Sequence, residues 1–225
     1  MRDQKDKLEK SGGLAFFLSF PAISYLNFSL SIGVIGLYNT QDSFLFLWIF
    51  AGIVLGFCLS PIFTRGKIYV FSHEVKHAIV ASLAGNKWKR MDIQRDGGGE
   101  YQYSYTKKTA HLNAFIALAP YWFPLLTIPA SLLTLSKIAQ PEILRILIGT
   151  CLTLDLIAGM KDLGPHQSDL STIRGGPKLA MIYVLLMNMF VIMIVASWSL
   201  SGLQGLKFQA INVWRVTEKI LSGFI

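Results

Sequence analysis

The chain has 225 residues, 52% of them hydrophobic and 15% charged, with a formal net charge of +8 and a mean hydropathy of +0.47. A soluble domain carries about a quarter charged residues, so this composition excludes an ordinary soluble domain and points to a membrane protein. The basic residues sit in short segments between apolar blocks, without an aromatic-basic groove pattern. They read as flanks of membrane spans facing anionic headgroups of the lipid bilayer, and nucleic acid is not an expected partner.

Residues 12–41, 43–64, 109–136, 146–154 and 179–206 contain no Asp, Glu, Lys or Arg, and a spanning helix needs about 20 mostly apolar residues. After a polar N-terminal tail, residues 1–13, the first span is expected over 14–38 and the second over 44–63. The basic link "TRGK" leads into a third helix, 67–84, with Gly85 and Asn86 as natural C-terminal caps. Residues 86–108 change character. Met91 and Ile93 alternate with Asp92 and Gln94, then "GGG" at 97–99 breaks the chain, and Tyr101, Tyr103 and Tyr105 alternate with polar residues. Period two predicts a β-hairpin. A fourth span is expected over 110–135, kinked by Pro120, Pro124 and Pro129. A fifth is expected over 141–160 and, beyond a polar loop, a sixth over 179–200. The tail, 201–225, is weakly amphipathic and is expected on the membrane surface. The fold class is therefore an all-α integral membrane helix bundle of about six transmembrane helices with a small β-hairpin, its multi-pass domain occupying 14–200. Cys58 and Cys151 lie in apolar blocks and read as buried free thiols. Basic residues favour a cytoplasmic N-terminus, yet strict alternation of spans would put the six Lys/Arg of the hairpin on the opposite side.

The third helix carries the chemistry. In "KIYVFSHEVKHAIVASLAG", His73 and His77 stand four residues apart and so share one helix face. Two imidazole nitrogens on one face suit zinc, which binds them at about 2.0–2.1 Å. Glu74 follows His73 by about 100° round the helix. From there it can act on water that zinc has made acidic, taking the proton and passing it to a leaving amine. Ionisable groups at membrane depth cost a few kcal/mol each and usually mark function. Lys76, off this face, is expected to snorkel or to line a wet cavity.

A catalytic zinc usually has three protein ligands. His111 and His166 are the other histidines, and Asp155, within "CLTLDLIAGM", is the acid inside an apolar helix. Zinc would offset the cost of placing it there, and its level in the membrane fits that of His77, about 9–12 Å from one face at 1.5 Å per residue. Asp155 is the preferred third ligand. Asp169, in "HQSDL", is the alternative, with a helix N-cap as its other reading.

"HEVKH" on a membrane helix, the Gly-rich hairpin "DGGGEYQYSYT", the helix "NAFIALAPYWFP" and an intramembrane aspartate resemble, in that order, the site-2-type intramembrane metalloproteases of the M50 peptidase family. The resemblance spans roughly residues 66–178, without room for a PDZ domain, and marks a divergent member. It implies a zinc (Zn2+) metalloendopeptidase, a hydrolase, cleaving membrane-embedded or membrane-adjacent protein or peptide substrates. His73 and His77 would be ligands and Glu74 the base. The family's Asn-Pro-x-x-Asp-Gly is reduced here to "TLDLIAG", which keeps the Asp. Tyr103 and Asn113 are candidate substrate-binding residues, the first on a strand that could pair with an unwound substrate. The alternative function is an inactive membrane chaperone or scaffold of the same fold. The expected location is a multi-pass position in the cell membrane of a prokaryote; oligomeric state is not readable.

Overall fold

The computed structural model describes residues 11–40, 44–93, 99–136, 139–161, 163–164 and 167–223. The charged start of the chain, the "GG" at 97–98 and His166 lie outside the described residues. Helix α1 covers Leu14–Thr40, α2 Phe44–Phe63 and α3 Gly66–Leu83. An antiparallel hairpin follows, β1 (Lys87–Ile93) against β2 (Gly99–Ser104). After a 3-10 turn come α4 (Asn113–Ala117), α5 (Ala119–Trp122) and α6 (Thr127–Leu133), then α7 (Pro141–Lys161), α8 (Ser168–Ser171) and α9 (Gly176–Ser222).

Four of the described helices, α1, α2, α7 and α9, are long and apolar enough to cross a membrane; about six were expected. Helix α3 forms, but Lys67, Glu74 and Lys76 make it too polar to count with them. Residues 110–135 do not form a long helix. Pro120 and Pro124 each remove a backbone donor, and Phe123, preceding Pro124, is driven to extended geometry. The segment is thereby cut into short helices, of which α4 lines the main cavity.

The four long helices wear their polarity inside out. In α2 the buried residues are Gly52, Gly56 and Ser60, whereas Phe44, Leu47, Phe50 and Leu55 face outward. Lipid supplies no drive to bury large apolar side chains, and small residues let backbones approach. A side chain at Gly52 would collide with the Ile146 carbonyl, and one at Gly56 with Thr153 and Thr150. Thr150 Oγ1 donates to the Gly52 carbonyl at 3.1 Å. These contacts run in the same order along both helices, so α2 and α7 lie parallel.

The tail does not stand apart from the bundle. Gly202, at φ 55° and ψ −136°, breaks the helical path of α9, a left-handed conformation that favours glycine. Beyond it the helix doubles back, so that Gly205 packs against the Ser197 carbonyl. Gln209 Nε2 donates to the Leu30 carbonyl and to Ser197 Oγ, and Asn212 Nδ2 to the Ser29 carbonyl. Residues 203–222 thus run antiparallel to α1, joined by polar groups that would be costly to leave facing lipid. Cys151 is half-buried, but Cys58 is exposed on the outer face of α2, so only one of the two thiols is withdrawn as expected.

One end of the bundle gathers the start of α1, the end of α7 and the approach to α9. Ser11 forms a parallel bridge with Ile173, its N–H donating to the Thr172 carbonyl at 2.8 Å and its carbonyl accepting from Arg174 N at 2.6 Å. The hairpin lines a cavity at this same end, together with Ser11, Gly66 and Lys161. The hairpin and Ser11, the first described residue, thus lie at the same end of the bundle.

Candidate metal centre

Helix α3 projects His73 and His77 from adjacent turns, their rings 5.2 Å apart and edge-on at 70°. From the other side, α8 delivers Asp169. Its Oδ2 lies 3.4 Å from His73 Nε2 and 3.5 Å from His77 Nε2. The short α8 is held by Leu170 and Ile173, both fully buried in a cluster with Phe16, Tyr121 and Tyr183. His77 Nδ1 is 2.8 Å from the Ile116 carbonyl. A carbonyl only accepts, so this nitrogen carries the proton and Nε2 presents its lone pair inward, the usual arrangement behind a metal-binding imidazole.

The donor set fits zinc. Bonds of about 2.0–2.1 Å in a tetrahedral site separate ligand atoms by about 3.3–3.4 Å, close to the two separations observed. All three ligand atoms lie within 4.8 Å of one another, and two imidazoles with one carboxylate are borderline-soft donors of the kind zinc accepts. Burial by itself would raise the Asp169 carboxyl; where His73 and His77 are protonated, with no metal on Nε2, their hydrogen bonds and charge outweigh it and hold the group below the usual carboxylate range.

Asp155, the preferred third ligand from sequence, does not join this group. Its Oδ1 lies 3.2 Å from Lys76 Nζ, with both side chains withdrawn from water (2% and 5% exposed). Its Oδ2 accepts from Leu126 N, Thr127 N and Thr127 Oγ1, each at 2.9 Å. Lys76 also donates to the Pro120 carbonyl at 3.4 Å. The lysine therefore neither snorkels nor lines a wet cavity. Asp155 meets a different side of α3 from the one that carries the imidazoles. Lys76 lies about 60° from His73, on the side opposite Glu74, and it is this side, with Tyr69 bonded to the Ala158 carbonyl, that meets α7. The imidazole face looks instead towards α8, and Asp169, the alternative ligand, is the acid that reaches it.

Glu74 is buried, at 6% exposure, on the wall of a cavity of about 830 Å³ that also includes His73, His77 and Asp169. Gly99, the first residue of β2, packs directly on it; a side chain there would collide with Glu74 Oε1 and come within 2.6 Å of Val70 Cγ1. Tyr103 and Asn113, singled out from sequence, both line the cavity. The Tyr101 ring lies parallel to the His77 ring with centroids 6.4 Å apart. Burial pushes the Tyr103 phenol up to about 12, so it is protonated and able to donate. His111 precedes α4 and is not part of the metal-competent group. Sequence reasoning missed Tyr121, whose hydroxyl donates to Asp169 Oδ2 at 3.2 Å, and the role of Gly99. The only signals for them were position in "LAPYWFP" and in "GGG".

No curated protein and no solved structure matches the chain. The Peptidase M50B-like family description matches residues 44–166, which include His73, Glu74, His77 and Asp155 and stop short of Asp169. That match covers more than half of a chain whose long apolar helices make it a multi-pass membrane protein, and the chain belongs to the Peptidase M50B-like family.

Proposed function

We propose that the chain is a zinc-dependent intramembrane endopeptidase acting on peptide bonds of membrane-embedded or membrane-adjacent protein segments. The observation that supports this reading is the convergence of His73, His77 and Asp169 beside Glu74 in one cavity. His73 Nε2, His77 Nε2 and Asp169 Oδ2 would hold the ion. Zinc supplies a Lewis acid and makes water acidic enough to ionise near neutral pH.

This chain's own residues do the rest. Glu74 receives the proton of the attacking water on its carboxylate and hands it to the leaving amine. Gly99 keeps the hairpin backbone against Glu74, which shields the carboxylate from bulk solvent. Tyr103 and Asn113, on the cavity wall, donate to the backbone of an extended substrate, and β2 offers it a strand partner. The hairpin, Lys161 and Arg174 lie at the cavity end of the bundle, and by the positive-inside rule the cavity opens towards the cytoplasm.

The test is Glu74→Gln in the full chain, reconstituted in liposomes with single-span reporter proteins. The variant should bind zinc as the wild type does and lose cleavage by about a thousandfold, the middle of the range a positioned acid–base supplies. Cleavage surviving in Glu74→Gln sinks the mechanism. Wild-type protein that binds zinc and cleaves none of the reporters favours the chaperone or scaffold reading.

A further inference from the structure

We infer that Tyr121 is a positioning residue for the metal centre, its phenol hydroxyl fixing the Asp169 carboxylate so that Oδ2 stays between the two imidazoles; this rests on the reading of His73, His77 and Asp169 as metal ligands. Asp169 sits on a single turn of helix within a loop, and nothing in so short an element fixes the rotation of a carboxylate about its own bond. Tyr121 supplies what is lacking. Its hydroxyl donates to Oδ2, the same oxygen that faces both Nε2 atoms, and its ring stands edge-on to His73, centroids 5.7 Å apart at 89°.

The phenol is itself anchored at its root. Tyr121 is 1% exposed. Its carbonyl accepts from Asn188 Nδ2 on α9 at 3.0 Å. On α7, Gly159 lies so close that a Cβ would stand 2.6 Å from that carbonyl oxygen. Two long helices thus grip the backbone of Tyr121, and the ring carries that fixed position to the carboxylate on the short α8. Outer-shell groups of this kind contribute about 10–100-fold to metal affinity.

The experiment is Tyr121→Phe, which removes one oxygen atom, made in the wild-type and in the Asp169→Ala backgrounds of the full chain in detergent. Zinc affinity is read by competition with a chromophoric chelator, alongside the thermal midpoint of the metal-free protein. The expected result is a loss of about tenfold or more in the wild-type background and no further loss where Asp169 is already gone. Unchanged affinity in the wild-type background overturns the inference. So does an equal loss in both backgrounds, because the hydroxyl would then support the fold rather than Asp169. If the wild type binds no zinc that His73→Ala abolishes, the metal reading falls and takes this one with it. Zinc bound equally by wild type and Tyr121→Phe removes only the present inference.

Discussion

Asp155 and Asp169 both face ionisable side chains of α3, the first buried and the second a quarter exposed on the cavity wall, and they meet opposite fates. Asp155 finds a fixed cation and a helix start. Lys76 neutralises one oxygen while the backbone and side chain at the head of α6 saturate the other. Among the described residues, the ion-pair partners of Asp169 are His73 and His77, groups that carry no charge when their nitrogens are free to bind metal. The first carboxylate is complete within the protein. The second meets two imidazoles and a phenol, none of them a fixed cation, which suits the ligand role proposed for it. A buried acid is therefore not diagnostic of a metal site; what neutralises it decides.

The sharpest way to break this contrast is to remove each acid and measure zinc. Asp169→Ala is expected to lower zinc affinity by about a hundredfold or more, as loss of a ligand should exceed loss of an outer-shell partner, whereas Asp155→Asn should bind zinc within a few-fold of the wild type. The reverse outcome would make Asp155 the ligand after all. Next in size is stability. Lys76→Met leaves the Asp155 carboxylate buried and unneutralised, a loss of about 3–5 kcal/mol in such cases. The double variant Lys76→Met/Asp155→Asn removes both charges and keeps an acceptor for α6, and should recover most of that loss. Thermal unfolding in detergent checks it: a double variant no more stable than Lys76→Met would show that the charges are not what couples the two residues.

Much of this arrangement was legible in the chain. Apolar blocks placed α1, α2 and α7 closely, because length and composition alone decide a span. Period-two tyrosines located the hairpin, and the spacing of His73 and His77 put two of the three side chains of the metal-competent group on one helix face. What remained hidden was long-range. The 110–135 block is apolar enough to span, but its prolines cut it into pieces that only a folded site can use. The return of residues 203–222 along α1 depends on Gln209 and Asn212 meeting carbonyls far away in sequence. Depth along a helix can be counted from its end; the direction a face looks cannot, which is why Lys76 rather than His77 turned out to be Asp155's partner.

The smallest effect tests whether Asp155 serves α6 as well as Lys76. Thr127 gives Asp155 two of its four polar contacts, one from the backbone and one from Oγ1. Thr127→Ala removes only the latter, and Leu126 N and Thr127 N still reach the same oxygen. Thr127 is 1% exposed, so water cannot replace the lost hydroxyl, and a hydrogen bond to a charged group contributes about 1.5–3 kcal/mol. With two donors and the lysine remaining, the loss should fall at or below the lower end of that range, visible as a modest drop in thermal midpoint. Zinc affinity should not move. If it falls in step with stability, α6 and the imidazole face are mechanically coupled, and the separation between the two carboxylates would be a matter of degree rather than of kind.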